Sequence, residues 1–268
     1  MRGVIFVLVC GIFWAGCSPF EYHPYDVRLE KKYKNINQKN IARIVQKDRH
    51  VDTVRFIFMG DTQRWYDETE DFVKAVNRRN DIDFVVHGGD ISDFGMKKEF
   101  CWIHDIMNQL EVPYVAIIGN HDHLGTGGEI YQAMYGDFNF SFVYSGIKFL
   151  ALNTNALDFD YGTPVPDFEF IQREIADTIN IDYDCTIAMM HTEPGNIVFN
   201  NNVKQVFHEY MKHFRHLLFC VHAHEHHLME NEFFNDGIWY YGSDAIKNRN
   251  YLLFTVTKQD YKHEVVYF

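Results

Sequence analysis

Hydrophobic and polar positions change period along this chain in a regular way. "VRFIFMG", from Val54, is an apolar run that stops on Gly60, and Asp61 follows at once. "ETEDFVKAVNRRN" then has helical spacing, with Phe72, Val73 and Val76 on one face. The alternation repeats: "IDFVVHGGD" reads as a strand, "KKEFCWIHDIMNQL" as a helix and "PYVAIIGNHD" as a third strand. Strands alternating with helices predict βαβ units, parallel pairing and right-handed crossovers. In such sheets ligands bind beyond the carboxyl ends of the strands. Each of these three strands delivers acidic or amide side chains at that end.

The second half is less even. "FSFVYSGIKFLALNT" predicts two antiparallel strands around Ser145 and Gly146, "DFEFIQREIADTI" a helix, and "DCTIAMMH" a strand ending on His191. "VKQVFHEYMKHF" reads as a helix and "RHLLFCVHAH" as a strand ending on His222 and His224. The remainder, through "GIWYYGSD", "YLLFTVTK" and "KHEVVYF", reads as antiparallel strands joined by short turns. With no internal repeat, low-complexity tract or linker, residues 51–268 are expected to form one domain.

The first residues follow another pattern. "MRGVIFVLVCGIFWAGCSPF" has one basic residue, an apolar run short for a bilayer, and Ala15-Gly16-Cys17, which reads as a secretory signal over residues 1–17. Small residues before Cys17 resemble the lipobox of bacterial lipoproteins, although Trp14 stands where a smaller aliphatic residue is usual. The resemblance implies membrane attachment through an acylated Cys17 and a place in the bacterial cell envelope, periplasmic or surface; cleavage without lipidation implies a secreted protein instead. Residues 18–50 are polar and Lys/Asn-rich, with an amphipathic patch at Ile36, Ile41, Ile44 and Val45, and read as a tether ending in a short helix.

Composition narrows the function. The chain is 47% hydrophobic and 16% aromatic over 268 residues, enough for a sizeable core. A formal charge of -12 argues against a nucleic-acid groove. Beyond the leader, Cys101, Cys185 and Cys220 are widely spaced and make no disulfide framework. Histidine is abundant, with fifteen residues, and clustered: His121 and His123 form one group, and His222, His224, His226 and His227 belong to another.

Five strand ends therefore carry ligand-type side chains: Asp61 with Gln63, Asp90, Asn120, His191, and His222 with His224. Oxygen and imidazole donors together suit borderline divalent metals such as manganese, iron or zinc. Each group alone has an ordinary explanation. Asp after Gly and Asn after Gly are common turn residues, a lone strand-end histidine is more often a surface group than a ligand, and runs such as "HAHEHH" occur without metal. Five ordinary explanations at five strand ends are much less economical.

These residues resemble the calcineurin-like metallophosphoesterase superfamily, whose motifs run D-x-H, G-D, G-N-H-D/E, H and G-H-x-H in that order. Here they are "GDTQ" at 60–63, "GGDISD" at 88–93, "GNHD" at 119–122, "MMHTEP" at 189–194 and "VHAH" at 221–224, and the resemblance covers residues 54–268. It implies an α/β fold, a four-layer α/β/β/α sandwich with a dinuclear metal site at the strand ends. By position it implies that Asp61, Gln63 and His224 hold the first metal, that Asp90 bridges, and that Asn120, His191 and His222 complete the second. It makes His121 the histidine aimed at the leaving group and Asp93 the carboxylate that orients it. Gln63 replaces the usual histidine and is a weaker, harder donor; some nucleotide diphosphatase-like branches resemble this chain there. Val221 replaces the usual glycine.

The implied activity is metal-dependent hydrolysis of a phosphomonoester, phosphodiester or pyrophosphate bond in a phosphorylated small molecule. By that resemblance two metal ions would neutralise the phosphoryl oxygens and supply an activated water or hydroxide, and His121 would protonate the leaving oxygen. The motifs enclose no cap domain. The rim candidates are the segment between Asn153 and Asp184 with "NALDFDYGTPVPDF", and Arg64, Trp65 and Tyr66 beside Gln63. The alternative is a non-catalytic metal-binding envelope lipoprotein that keeps the fold. A metal-storage or delivery protein is the third reading, suggested by the additional His226 and His227.

Overall fold

A computed structural model describes residue 23 and residues 26–47, 51–156, 164–177 and 182–268. The leader with Cys17 lies outside the described residues, as do residues 157–163 of the rim segment. Among the described residues no helix is long and apolar enough to cross a membrane.

The first half forms α1 (Ile36–Gln46), β1 (Val54–Met59), α2 (Tyr66–Val76), β2 (Phe84–His87), α3 (Lys97–Met107), β3 (Tyr114–Ala116) and α4 (Gly127–Met134). A hairpin follows, β4 (Phe140–Tyr144) and β5 (Ile147–Leu152), then α5 (Phe168–Ala176), β6 (Cys185–Met190), α6 (Lys204–Met211) and β7 (Leu217–His222). The chain closes with β8 (Met229–Asn231), β9 (Tyr240–Gly242), β10 (Asn250–Val256) and β11 (Tyr261–Tyr267). One sheet has the order β11-β10-β1-β2-β3 and the other β4-β5-β6-β7-β9-β8.

Side-chain alternation builds the layers. In β1, Phe56 and Phe58 point between the sheets, whereas Ile57 and Met59 point to the helices, as a period of two requires. Phe56 and Phe84 meet Phe149 of β5 edge-on, with ring centres 5.3 and 5.1 Å away. Phe72, Phe100 and Ile130 of α2, α3 and α4 cover the outer face of the first sheet. Phe170, Phe207 and Met211 of α5 and α6 cover Leu150, Ala188 and Met190 of the second. The result is the α/β/β/α sandwich. Strands covered on both faces are apolar throughout, which is why they read as continuous runs.

Two elements depart from the expected pattern. β9 runs parallel to β7 (Cys220 beside Tyr240) and is antiparallel only to β8. β8 is the outer strand, and its hairpin partner β9 inserts between it and β7, so the chain reverses twice before pairing. The helix expected at the end of the 18–50 segment is docked on the edge of β3. Asn37 donates to the Ala116 carbonyl at 2.8 Å and accepts from the Ala116 amide at 2.9 Å, and Asn40 donates to the Tyr114 carbonyl at 2.7 Å. Side-chain amides thus continue the ladder where no further strand pairs.

Replacing Asn37 by Ala removes both Ala116 bonds in a buried setting. The expected loss is about 2–4 kcal/mol of unfolding free energy, read from denaturant titration. A loss of less than about 0.5 kcal/mol, the range of ordinary surface changes, contradicts the edge-pairing role.

Candidate metal centre

The carboxyl ends of β1, β2, β3, β6 and β7 converge at one end of the two sheets. His191, next after β6, joins them: its Nδ1–H donates to the Gly88 carbonyl after β2 at 2.8 Å. This fixes the ring, so that Nε2 faces Asp90 Oδ1 at 3.3 Å and Asn120 Oδ1 at 3.0 Å. His224 Nδ1 completes the group, 2.9 Å from Asn120 Oδ1 and 3.2 Å from His191 Nε2. Ligand atoms at about 2.1 Å from an ion and at right angles to one another stand about 3.0 Å apart. The spacing here fits a divalent cation.

A second donor group shares Asp90. Ligand atoms of Asp61, Asp90 and His226 lie within 4.8 Å of one another, as do those of Asp90, His191 and His224. Asp61 Oδ1 stands 3.3 Å from His226 Nε2. Gln63 donates its amide to Asp90 Oδ2 at 3.1 Å, leaving Gln63 Oε1 buried. Gln63 Oε1 has no hydrogen-bond donor among the described residues. Buried oxygens without donors are costly unless something else satisfies them, and a cation does so.

Without metal, the charges partly compensate one another. Burial opposes the imidazolium of His191, but the Asp90 charge and hydrogen bond overcome it and raise its pKa to about 9. Burial likewise opposes ionisation of Asp90, yet His191 and His121 bring it to about 2. Asp61 is raised by burial against the pull of His226, and burial together with His191 lowers His224 to about 4.

The backbone around this centre is unusual. Of ten non-glycine residues with positive φ among the described residues, five belong here: Asp61 (56°), Arg64 (61°), Asp90 (54°), His224 (72°) and His226 (56°). Left-handed backbone costs a side-chain-bearing residue about 1–2 kcal/mol, and its concentration at one site marks geometry kept for function. Gly119 permits the closest approach, since a Cβ there would lie 2.2 Å from Asp90 Oδ1.

The structure brings together Asp61, Gln63, Asp90, Asn120, His191 and His224, but not His222. The His222 ring is fully buried, and its Nδ1 stands 3.1 Å from Glu193 Oε2. His226 lies beside Asp61 where the motif position had suggested His224, and His224 lies with Asp90 and His191 where it had suggested His222. The histidines grouped with the acidic donors are therefore those of "HEH" at 224–226, two residues later than the motif position suggested. Ala223, not Val221, fills the small-residue position. Its Cβ would come within 3.0 Å of a Cβ added at either Gly60 or Gly88. That crowding was a usable signal, because Ala223 is the smaller of the residues preceding the two candidate pairs.

His121 and Asp93 are adjacent but joined differently from the expectation. The His121 Nδ1–H donates to the Asp93 backbone carbonyl at 2.9 Å, while the Asp93 carboxylate stands 3.7 Å away and accepts from Arg64. Asp122 was present in the motif but had no assigned role. It is fully buried and accepts from the amides of Ile91, Ser92 and Gly119 and the Ser92 hydroxyl, tying the loops after β2 and β3 together. Burial, reinforced by Asp90, raises its pKa to about 7 against those amide bonds.

The family model for calcineurin-like phosphoesterases matches residues 54–228, more than half of the chain. The chain belongs to that family. No curated protein matches it by sequence. Among solved structures, it is similar to the GAP50 anchor in the inner membrane complex of Plasmodium, at 10% identity over 81% of this chain and 85% of that one, with a TM-score of 0.61. A dimetal phosphatase from Danio rerio shares 11% identity over 78% of this chain and 98% of that one, with a TM-score of 0.57. A 5'-nucleotidase from Candida albicans shares 14% identity over 80% of this chain and 52% of that one, with a TM-score of 0.55. At these identities the neighbours establish the fold.

Two variants separate the roles of the histidines. His226→Ala should lose about one equivalent of bound metal in elemental analysis after loading. His222→Ala should keep its metal and instead lower the melting temperature, because Glu193 is left buried without its partner. The opposite pattern would restore the earlier motif register.

Proposed function

We propose that the protein is a dinuclear metal-dependent phosphoesterase acting on a phosphorylated small molecule. The observation that carries this reading is the shared Asp90 carboxylate: one buried group belongs to both donor sets. Asp61, Gln63, Asp90 and His226 would hold one ion, and Asp90, Asn120, His191 and His224 the other. Oxygen and imidazole donors suit manganese, iron or zinc. When bound, such ions supply charge neutralisation for phosphoryl oxygens and acidify water.

The chain's own groups account for orientation and proton transfer. The His121 bond to the Asp93 carbonyl commits Nδ1, so Nε2 is the nitrogen left to donate to a departing oxygen. The Asp90 carboxylate accepts from the His121 amide at 3.0 Å, which fixes that donor relative to the metal-binding groups. Family membership supports phosphoester hydrolysis. Export through residues 1–17 and anchoring through acylated Cys17 are part of the proposal and are supported by the lipobox-like sequence.

The deciding experiment is hydrolysis of a chromogenic phosphomonoester and a chromogenic phosphodiester with added manganese. If metal-loaded protein turns over neither these nor pyrophosphate esters, the non-catalytic reading replaces this one. His121→Ala should keep its metal and lose about 10²–10⁴-fold in turnover, most for poor leaving groups. An equal loss for good and poor leaving groups counts against a general acid. Labelled fatty acid should appear on the wild type and vanish on Cys17→Ser; wholly soluble protein beginning beyond Cys17 would refute the anchor.

A further inference from the structure

Arg64 sits directly after Gln63, at the third position of a turn closed by the Trp65 amide on the Thr62 carbonyl at 3.0 Å. Its φ of 61° is one that turns normally assign to Gly or Asn at this position. Nothing in the backbone favours arginine there, so its side chain must explain its presence. That side chain is 60% exposed and reaches the carboxylate of Asp93, which is only 10% exposed. The carbonyl of the same Asp93 holds His121. The guanidinium is thus stationed beside the pair formed by Asp93 and His121.

We propose that Arg64 binds an anionic leaving group and that the bond cleaved is a pyrophosphate bond. This deepens the phosphoesterase reading and rests on it. An arginine fork matches two oxygens of a phosphate. An ion pair with so exposed a partner is weak and screened, so an incoming phosphate can displace Asp93 from Arg64. The anion closest to a leaving oxygen is one bonded directly to it, which is the second phosphate of a pyrophosphate. In the reaction, water oxygen bonds to one phosphorus and the bond from that phosphorus to the bridging oxygen breaks. The bridging oxygen leaves with the second phosphate, taking a proton from His121; the attacking water gives up a proton to solvent, from which His121 is reprotonated, and two phosphomonoesters result. Arg64 neutralises the charge that the departing phosphate gains.

The test compares wild type, Arg64→Ala, Arg64→Lys and Arg64→Gly, all full chain and manganese-loaded, on a dinucleoside pyrophosphate and on p-nitrophenyl phosphate. The expected result for Arg64→Ala and Arg64→Gly is a loss of kcat/KM at least ten-fold larger on the pyrophosphate, mostly in KM, with partial recovery in Arg64→Lys. Affinity for adenosine α,β-methylene diphosphate should fall at least ten-fold in Arg64→Ala, and that for adenosine monophosphate much less. Equal losses on both substrates, or none, overturn the assignment. Arg64→Gly should melt at or above the wild-type temperature, because glycine suits the turn; a drop of several degrees would make Arg64 a structural tie and also overturn it. If the wild type hydrolyses neither substrate, the enzyme reading fails, and unchanged analogue affinity in Arg64→Ala separately rejects the role given to Arg64.

Discussion

The site depends on the buried carboxylate of Asp90. Its two oxygens meet the Gln63 amide, the His121 backbone amide and the His191 ring, and its own carbonyl accepts from the Thr62 and Gln63 amides. The ends of β1, β2, β3 and β6 are thereby gathered around one negative group. Such a charge is tolerable in the interior only with partners on every side. The same requirement places polar donors where a substrate's charge would arrive. Core packing sets how far apart the strands lie, and Asp90 sets how their ends face one another.

Left-handed backbone at the strand ends is the local means of doing this. Asp61, just beyond β1, and Asp90, just beyond β2, both take left-handed backbone, and their carboxylates meet in one donor group. The strain is offset by the sandwich beneath, where three apolar layers hold the strands rigid. Rigid elements supporting a strained rim are a common way to preorganise a site.

Much of this was legible in the chain and some was not, for identifiable reasons. The βαβ half could be read because parallel strands buried on both faces leave long apolar runs, each ending abruptly on glycine and a ligand. Asp61, Gln63, Asp90 and Asn120 sit at such ends, and His191 directly follows the apolar run of β6. The register of the histidine pair was not legible because "HAHEHH" offers two, and only the end of β7 separates them: His222 is still within the strand, directed toward Glu193. The insertion of β9 failed because strands as short as Tyr240–Gly242 carry no period and their partners are chosen by tertiary contact. The Arg64 contact with Asp93 spans residues far apart in sequence, and no local pattern announces it.

The docking of α1 has a further consequence, for solubility. The first sheet has two edges. At β11, Lys262 and Glu264 are exposed charges that discourage another strand from adding. At β3 the protection comes from Asn37 and Asn40 instead, side chains standing in for a neighbouring strand. A shortened chain beginning at β1 would keep its candidate metal donors, yet lose Tyr33, Ile36 and Ile44 from the core and present the open groups of Tyr114 and Ala116 to any passing strand. The segment ahead of β1 thus covers an edge that would otherwise be open to self-association.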